Sequence, residues 1–129
     1  TDELHGKPLV AEVMVRSMGD GKFTEDQPRH GGSRSFDIGR TAIVETDSGM
    51  TVQLTGRRVM PASLNQLLFC GIDPESYDII VAKGVHAPVA AYAPVCPTLI
   101  RVNTPGITTA DMNALTYQKR RRPLFPFER

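Results

Sequence analysis

Four residues in this chain of 129 are placed to do chemistry without forming an obvious catalytic set. Lys83 and His86, in Lys83-Gly84-Val85-His86, fall where a buried strand is predicted to end and a short helix to begin. Ligand sites gather at such strand ends, because helix N–H groups and loop side chains converge there. A lysine and a histidine in that place would hold an anion or a carbonyl. The same two residues also read as a solvated cation and a helix cap. Arg40, in Phe36-Asp37-Ile38-Gly39-Arg40-Thr41, can pair with Asp37 or grip a carboxylate with both guanidinium arms, although a solvated arginine at a strand entrance is the commoner outcome. Thr104 opens Thr104-Pro105-Gly106, where Pro105 fixes φ and Gly106 permits a tight reversal, the pattern of a type II turn.

Nothing else supplies a reaction centre. The three histidines, His5, His30 and His86, have no metal-ligand spacing, and C-x-x-C, H-x-x-x-H and H-E-x-x-H are all absent. Cys70 and Cys96 lie in apolar surroundings and read as buried free thiols. Asp37, Asp47, Asp73, Asp78 and Asp111 scatter over turns, caps and strand ends, so no nucleophile–base pair emerges. No residue is therefore assigned as catalytic or as a metal ligand.

The elements that must position these residues follow from periodicity. Residues 8–18 read as a strand, with Leu9, Ala11, Val13 and Val15 on one face and a mixed second face, as in a strand covered on both sides. Residues 22–40 show no period and read as a long loop, the segment most suited to face a partner. Thr41–Thr46 and residues 50–55 form a hairpin around Asp47-Ser48-Gly49, with Met50, Val52 and Leu54 on the buried face. Ser63 and Gln66 make a capping box for a helix whose stripe is Leu64, Leu67 and Leu68 and whose end is Gly71. Further along, residues 77–83 read as a buried strand, 88–92 as a short helix begun by Pro88, and 99–103 as another strand. Thr108 and Asp111 cap a last helix through about Thr116, and a basic, proline- and aromatic-rich tail occupies 119–129. In that tail Pro123 and Pro126 would pin Phe125 and Phe127 onto the body. The order predicts one α/β or α+β domain with a mixed sheet, an early hairpin and about three short helices.

Composition narrows the class. With 40% apolar and 22% charged residues and a formal net charge of +1, the chain is an ordinary globular domain. No apolar run approaches the roughly 20 residues of a membrane span. Lys119-Arg120-Arg121-Arg122 invites a nucleic-acid reading, but the near-neutral balance and the lack of any Trp or recognised motif argue against it. Few cysteines point to a reducing, cytoplasmic setting. The opening Thr1-Asp2-Glu3-Leu4-His5 reads as a domain or fragment boundary.

In their order, Lys83-Gly84-Val85-His86, the run from Asn103 to Asp111, and Arg122-Pro123-Leu124-Phe125-Pro126-Phe127 resemble the C-terminal domain of the MlrC (microcystinase C) family of metallopeptidases. The likeness extends from about Pro8 to Phe127. The family often carries Lys-Ser-x-x-His-Phe-Arg-Ala where this chain has Ala87-Pro88 in place of Phe-Arg, so an arginine contact there is lost. The resemblance implies a parent zinc-dependent peptidase or amidohydrolase, in which the metal lowers the pKa of the water that attacks the scissile carbonyl. It implies that zinc and the general base belong to a larger N-terminal catalytic domain, and that this domain closes the cleft. Lys83, His86, Arg40 and Thr104 are then the candidates for contact with a peptide or amide substrate, and the isolated chain is expected to be inactive. The competing expectation is a stand-alone binding module without catalysis. A domain parted from its partner is expected to expose apolar surface and to self-associate.

Overall fold

A computed structural model describes residues 7–104 and 111–128, and the class is α+β. The chain divides into two compact units, one spanning Leu9–Ile100 and one whose described residues come from 1–8 and 101–129. All strands among the described residues belong to the first unit: β1 (Val13–Gly19), β2 (Lys22–Thr24), β3 (Ser35–Asp37), β4 (Thr41–Thr46) and β5 (Thr51–Thr55). They form an antiparallel sheet in the order β1-β4-β5 and an antiparallel β2-β3 hairpin. Helices α1 (Asn65–Leu68) and α2 (Ala87–Tyr92) follow.

The β4–β5 hairpin forms where turn chemistry places it. Gly49 adopts φ +82°, its N–H donates to the Thr46 carbonyl at 2.9 Å, and the Thr46 and Ser48 hydroxyls meet at 2.8 Å. Ile43 and Val44 of the central strand β4 are buried. The predicted buried face of the second arm is corrected. Met50 is exposed, Leu54 is 51% exposed, and the opposite face carries the packing. There the Gln53 amide donates to the Gln66 carbonyl at 2.6 Å and accepts from the Gln66 amide at 3.1 Å, tying β5 to α1. A paired amide satisfies its own hydrogen bonds on burial, so the polar face could win.

β1 also departs from expectation. It begins at Val13, and it is an edge strand whose residues are all exposed, with a bulge between Val15 and Ser17. β4 pairs with one of its edges, and Val13, Met14, Val15 and Met18 stay exposed. The supposed loop 22–40 holds a hairpin at its two ends, leaving 25–34 as the irregular part. Strands of three residues are too short to display a period, which hid them. What holds them is aromatic: Phe23 stacks on Phe36 at 4.8 Å and on Phe69 at 4.9 Å.

The predicted helix starts near Ser63 but without the reciprocal capping box. Ser63 Oγ accepts from the Asn65 N–H at 3.0 Å and donates to the Glu25 carboxylate, while Gln66 turns to Gln53. Its end is as predicted. Gly71 takes φ +78°, with Gly71 N–H to Leu68 O at 2.9 Å and Ile72 N–H to Leu67 O at 3.1 Å, a Schellman closure. Helix α2 starts at Ala87, one residue before Pro88, and buries Ala91 and Tyr92. The predicted strands at 77–83 and 99–103 run without backbone hydrogen bonds to any ladder among the described residues. An apolar run becomes a strand only when another edge pairs with it, and none does so here. In the other unit Asp111 caps a short 3₁₀ turn, Met112–Ala114, through the Asn113 N–H, in place of a longer helix; Thr108 lies outside the described residues.

Candidate functional site

Lys83 and His86 stand on the connection into α2, and both are exposed. The connection is held by backbone and small-residue packing, which leaves the side chains open. The His86 carbonyl accepts from the Val89 and Ala90 N–H groups at 3.1 and 3.4 Å, and its imidazole makes no capping hydrogen bond. Gly84 lies so close to Pro88 that a Cβ there would sit 3.0 Å from the ring. Arg40 is exposed at the entrance to β4, its carbonyl accepting from Gly56 N–H at 2.8 Å. The suggested Arg40–Asp37 pair does not form. Arg57 pairs with Asp37 at 2.7 Å instead, across the approach of Gly39 to Gly56-Arg57. The Gly39 N–H, donating to Asp37 at 3.0 Å, and then the Arg57 charge hold that carboxyl below its ordinary range. No hydrogen bond or ion pair among the described residues joins Lys83, His86 and Arg40. Thr104 is exposed in the other unit, and its Pro105-Gly106 turn lies outside the described residues.

Sequence reasoning missed a polar cleft of about 330 Å³ beside the three-stranded sheet, lined by Arg16, Glu45, Thr51, Cys70 and Tyr77 among others. Arg16 Nε donates to Glu45 Oε2 at 2.5 Å, and this bond holds the Glu45 carboxyl low. The Tyr77 hydroxyl donates to Thr51 Oγ1 at 3.1 Å. Burial pushes the Cys70 thiol up, opposed by a hydrogen bond from Gln53 Nε2 at 3.2 Å. The terminal nitrogens of Arg16 have no partner among the described residues and suit a carboxylate or carbonyl. Finding this cleft required the β1–β4 register, in which Glu45 faces Met14 and Arg16 falls at the bulge between Val15 and Ser17; nothing in the residue order specifies it.

The tail forms a clasp of its own. Arg120 grips Glu128 with two bonds of 2.6 Å, and Glu128 also accepts from the Leu124 N–H at 3.0 Å. Chiefly through Arg120, the Glu128 carboxyl falls to about 2. The Arg120 guanidinium lies 4.6 Å from the Phe127 ring centre, and Tyr117 meets that ring edge-on at 5.2 Å. The expectation that both aromatics are pinned holds only in that Phe127 is held, within the tail itself. Phe125 is 81% exposed.

Among the described residues no group of three or more His, Cys, Asp or Glu side chains converges as a metal site would, and no ligand set is assigned. No described helix is long and apolar enough to cross a membrane. Neither a curated protein nor a solved structure matches the chain. The family model described as MlrC C-terminus matches residues 1–119, nearly the whole chain. With the motif order at Lys83–His86 and around Thr104, that match shows that the chain belongs to the MlrC C-terminal domain family.

Proposed function

We propose that this chain is the accessory domain of a zinc-dependent peptidase or amidohydrolase, closing the substrate cleft against a separate metal-binding portion. The observation that carries the reading is the apolar surface of the Leu9–Ile100 unit. Val13, Met14, Val15 and Met18 are bare along β1, Val10 before it is 93% exposed, and Val81 in the unpaired segment 77–83 is 91% exposed. Each such side chain stabilises a structure by about 1.5–3 kcal/mol when buried. Apolar exposure on this scale suits a surface that meets another protein body. The zinc would supply an activated water to the reaction, and its ligands would come from the metal-binding portion. This chain's part is to bind and orient: Lys83, His86 and Arg40 are cationic or polar, exposed and uncommitted, as groups reserved for a substrate are.

The test is association followed by hydrogen exchange. Mixed with the metal-binding portion, the amides of β1 and of residues 77–83 should become protected. Lys83→Ala and His86→Ala should leave stability within about 0.5 kcal/mol, because neither side chain packs. They should raise the KM of the assembled enzyme with less effect on kcat. Unchanged exchange throughout this unit in the mixture would contradict the reading and favour a stand-alone module.

A further inference from the structure

The polar cleft beside the three-stranded sheet has no part in the function proposed above, and every residue lining it belongs to the Leu9–Ile100 unit. Arg16 and Glu45 supply its charges. Their bond uses Nε of the guanidinium and Oε2 of the carboxylate. Both terminal nitrogens of Arg16 and the Oε1 atom of Glu45 are left without a partner among the described residues. Tyr77 donates to Thr51 Oγ1 at 3.1 Å, so the Thr51 hydroxyl keeps its own proton to give. Ile43, which is buried, and Ile72 add an apolar wall to the same cleft.

We propose that this cleft binds a free α-amino acid with a short apolar side chain. The carboxylate of the ligand meets the terminal nitrogens of Arg16 and the Thr51 hydroxyl, its ammonium meets Glu45 Oε1, and its side chain lies against Ile43 and Ile72. A guanidinium edge takes a carboxylate through two parallel N–H bonds. The neighbouring charges decide between ligand classes. A lone carboxylate drawn by Arg16 is repelled by Glu45, and a lone amine meets the reverse. A ligand carrying both charges sets each against its opposite, and each mismatch works against the singly charged competitor. The hydrogen bond from Arg16 holds the Glu45 carboxyl below its ordinary range, so it is ionised at neutral pH. At about 330 Å³ the cleft is small for a ligand pocket, which suits an amino acid better than a long peptide. The inference uses this unit alone and does not rest on the accessory-domain reading.

The experiment titrates the full chain, isotope-labelled, with L-alanine and follows the backbone amides by NMR. N-acetyl-L-alanine, which lacks the ammonium, and L-alaninamide, which lacks the carboxylate, are titrated alongside. Alanine should give saturable shifts centred on Arg16, Glu45, Thr51 and Tyr77, with a Kd on the order of 1 mM. Each singly charged analogue should bind about five-fold more weakly or worse. Arg16→Gln should weaken alanine binding about ten-fold. Glu45→Gln should also weaken it, and should bring N-acetyl-L-alanine level with alanine, a reversal that a purely structural role for Glu45 would not produce. Arg16 and Glu45 are 52% and 33% exposed, and so open a pair adds little to stability, so both variants should keep the wild-type fold by circular dichroism. No saturable shift with alanine overturns the proposal, as do shifts centred away from the cleft. Equal binding of alanine, N-acetyl-L-alanine and sodium acetate overturns it too, because the cleft would then take anions in general.

Discussion

Single atoms decide the conformation of Gly21. It holds φ +73°, and a Cβ there would lie 1.9 Å from the Gly39 carbonyl oxygen and 2.8 Å from Ile38. Its own carbonyl accepts from the Ile38 N–H at 2.9 Å, so the contact cannot open without cost. Gly21→Ala should destabilise the protein by about 2 kcal/mol or more, read as a lower midpoint in urea. Tyr92 predicts a pH effect. Burial, with the Cys96 thiol adding to it, raises its phenol from 10.0 to about 12. A folded pKa above the unfolded one stabilises fully below pH 10.0 and is lost as pH rises toward about 12. Stability should therefore fall across that alkaline window, and Tyr92→Phe should flatten that part of the fall. At this scale the sequence was informative where a residue's chemistry acts locally. Gly49 and Gly71 end a strand and a helix as predicted, because a left-handed residue needs no distant partner. The partner of Asp37 was open for the converse reason: whether it takes Arg40 or Arg57 depends on the close approach of Gly39 to Gly56-Arg57.

Elements that exist through long-range pairing were correspondingly hard to read. The β4–β5 hairpin was legible, since adjacent strands and their turn share one stretch of sequence. β2 and β3 were not, because their stability resides in a ring stack that reaches Phe69. Phe23→Ala removes the middle ring of that stack and should cost about 3 kcal/mol, with loss of hydrogen-exchange protection concentrated in Lys22–Thr24 and Ser35–Asp37. A result under about 1 kcal/mol would mean that the stack is not what holds the hairpin. Segments 77–83 and 99–103 teach the complementary lesson. Their apolar, β-branched composition predicts strands, and the described residues supply no edge for them. Composition records what a segment is suited to pair with, whether or not a described residue takes that place.

At the scale of the molecule, fold class and family were readable from the order of elements and motifs, and the match over residues 1–119 shows the family. The candidate site was readable only as residue types. Lys83 and His86 are where reasoning from strand ends would have a ligand, and Arg40 stands at a strand entrance, yet no bond among the described residues joins them, and the Arg16–Glu45 cleft carries no mark in the residue order. Under the proposed function both outcomes would have one physical source. A site shared between bodies is incomplete in either, so its polar groups stand open and its apolar flanks stand bare. The proposed division of labour is tested most directly by metal content and peptide hydrolysis, for this chain alone, for the metal-binding portion alone, and for the two mixed. The account predicts zinc in the metal-binding portion, none bound stoichiometrically by this chain, and full hydrolysis only in the mixture. Stoichiometric zinc in this chain alone, or full activity of the metal-binding portion without it, would contradict the account.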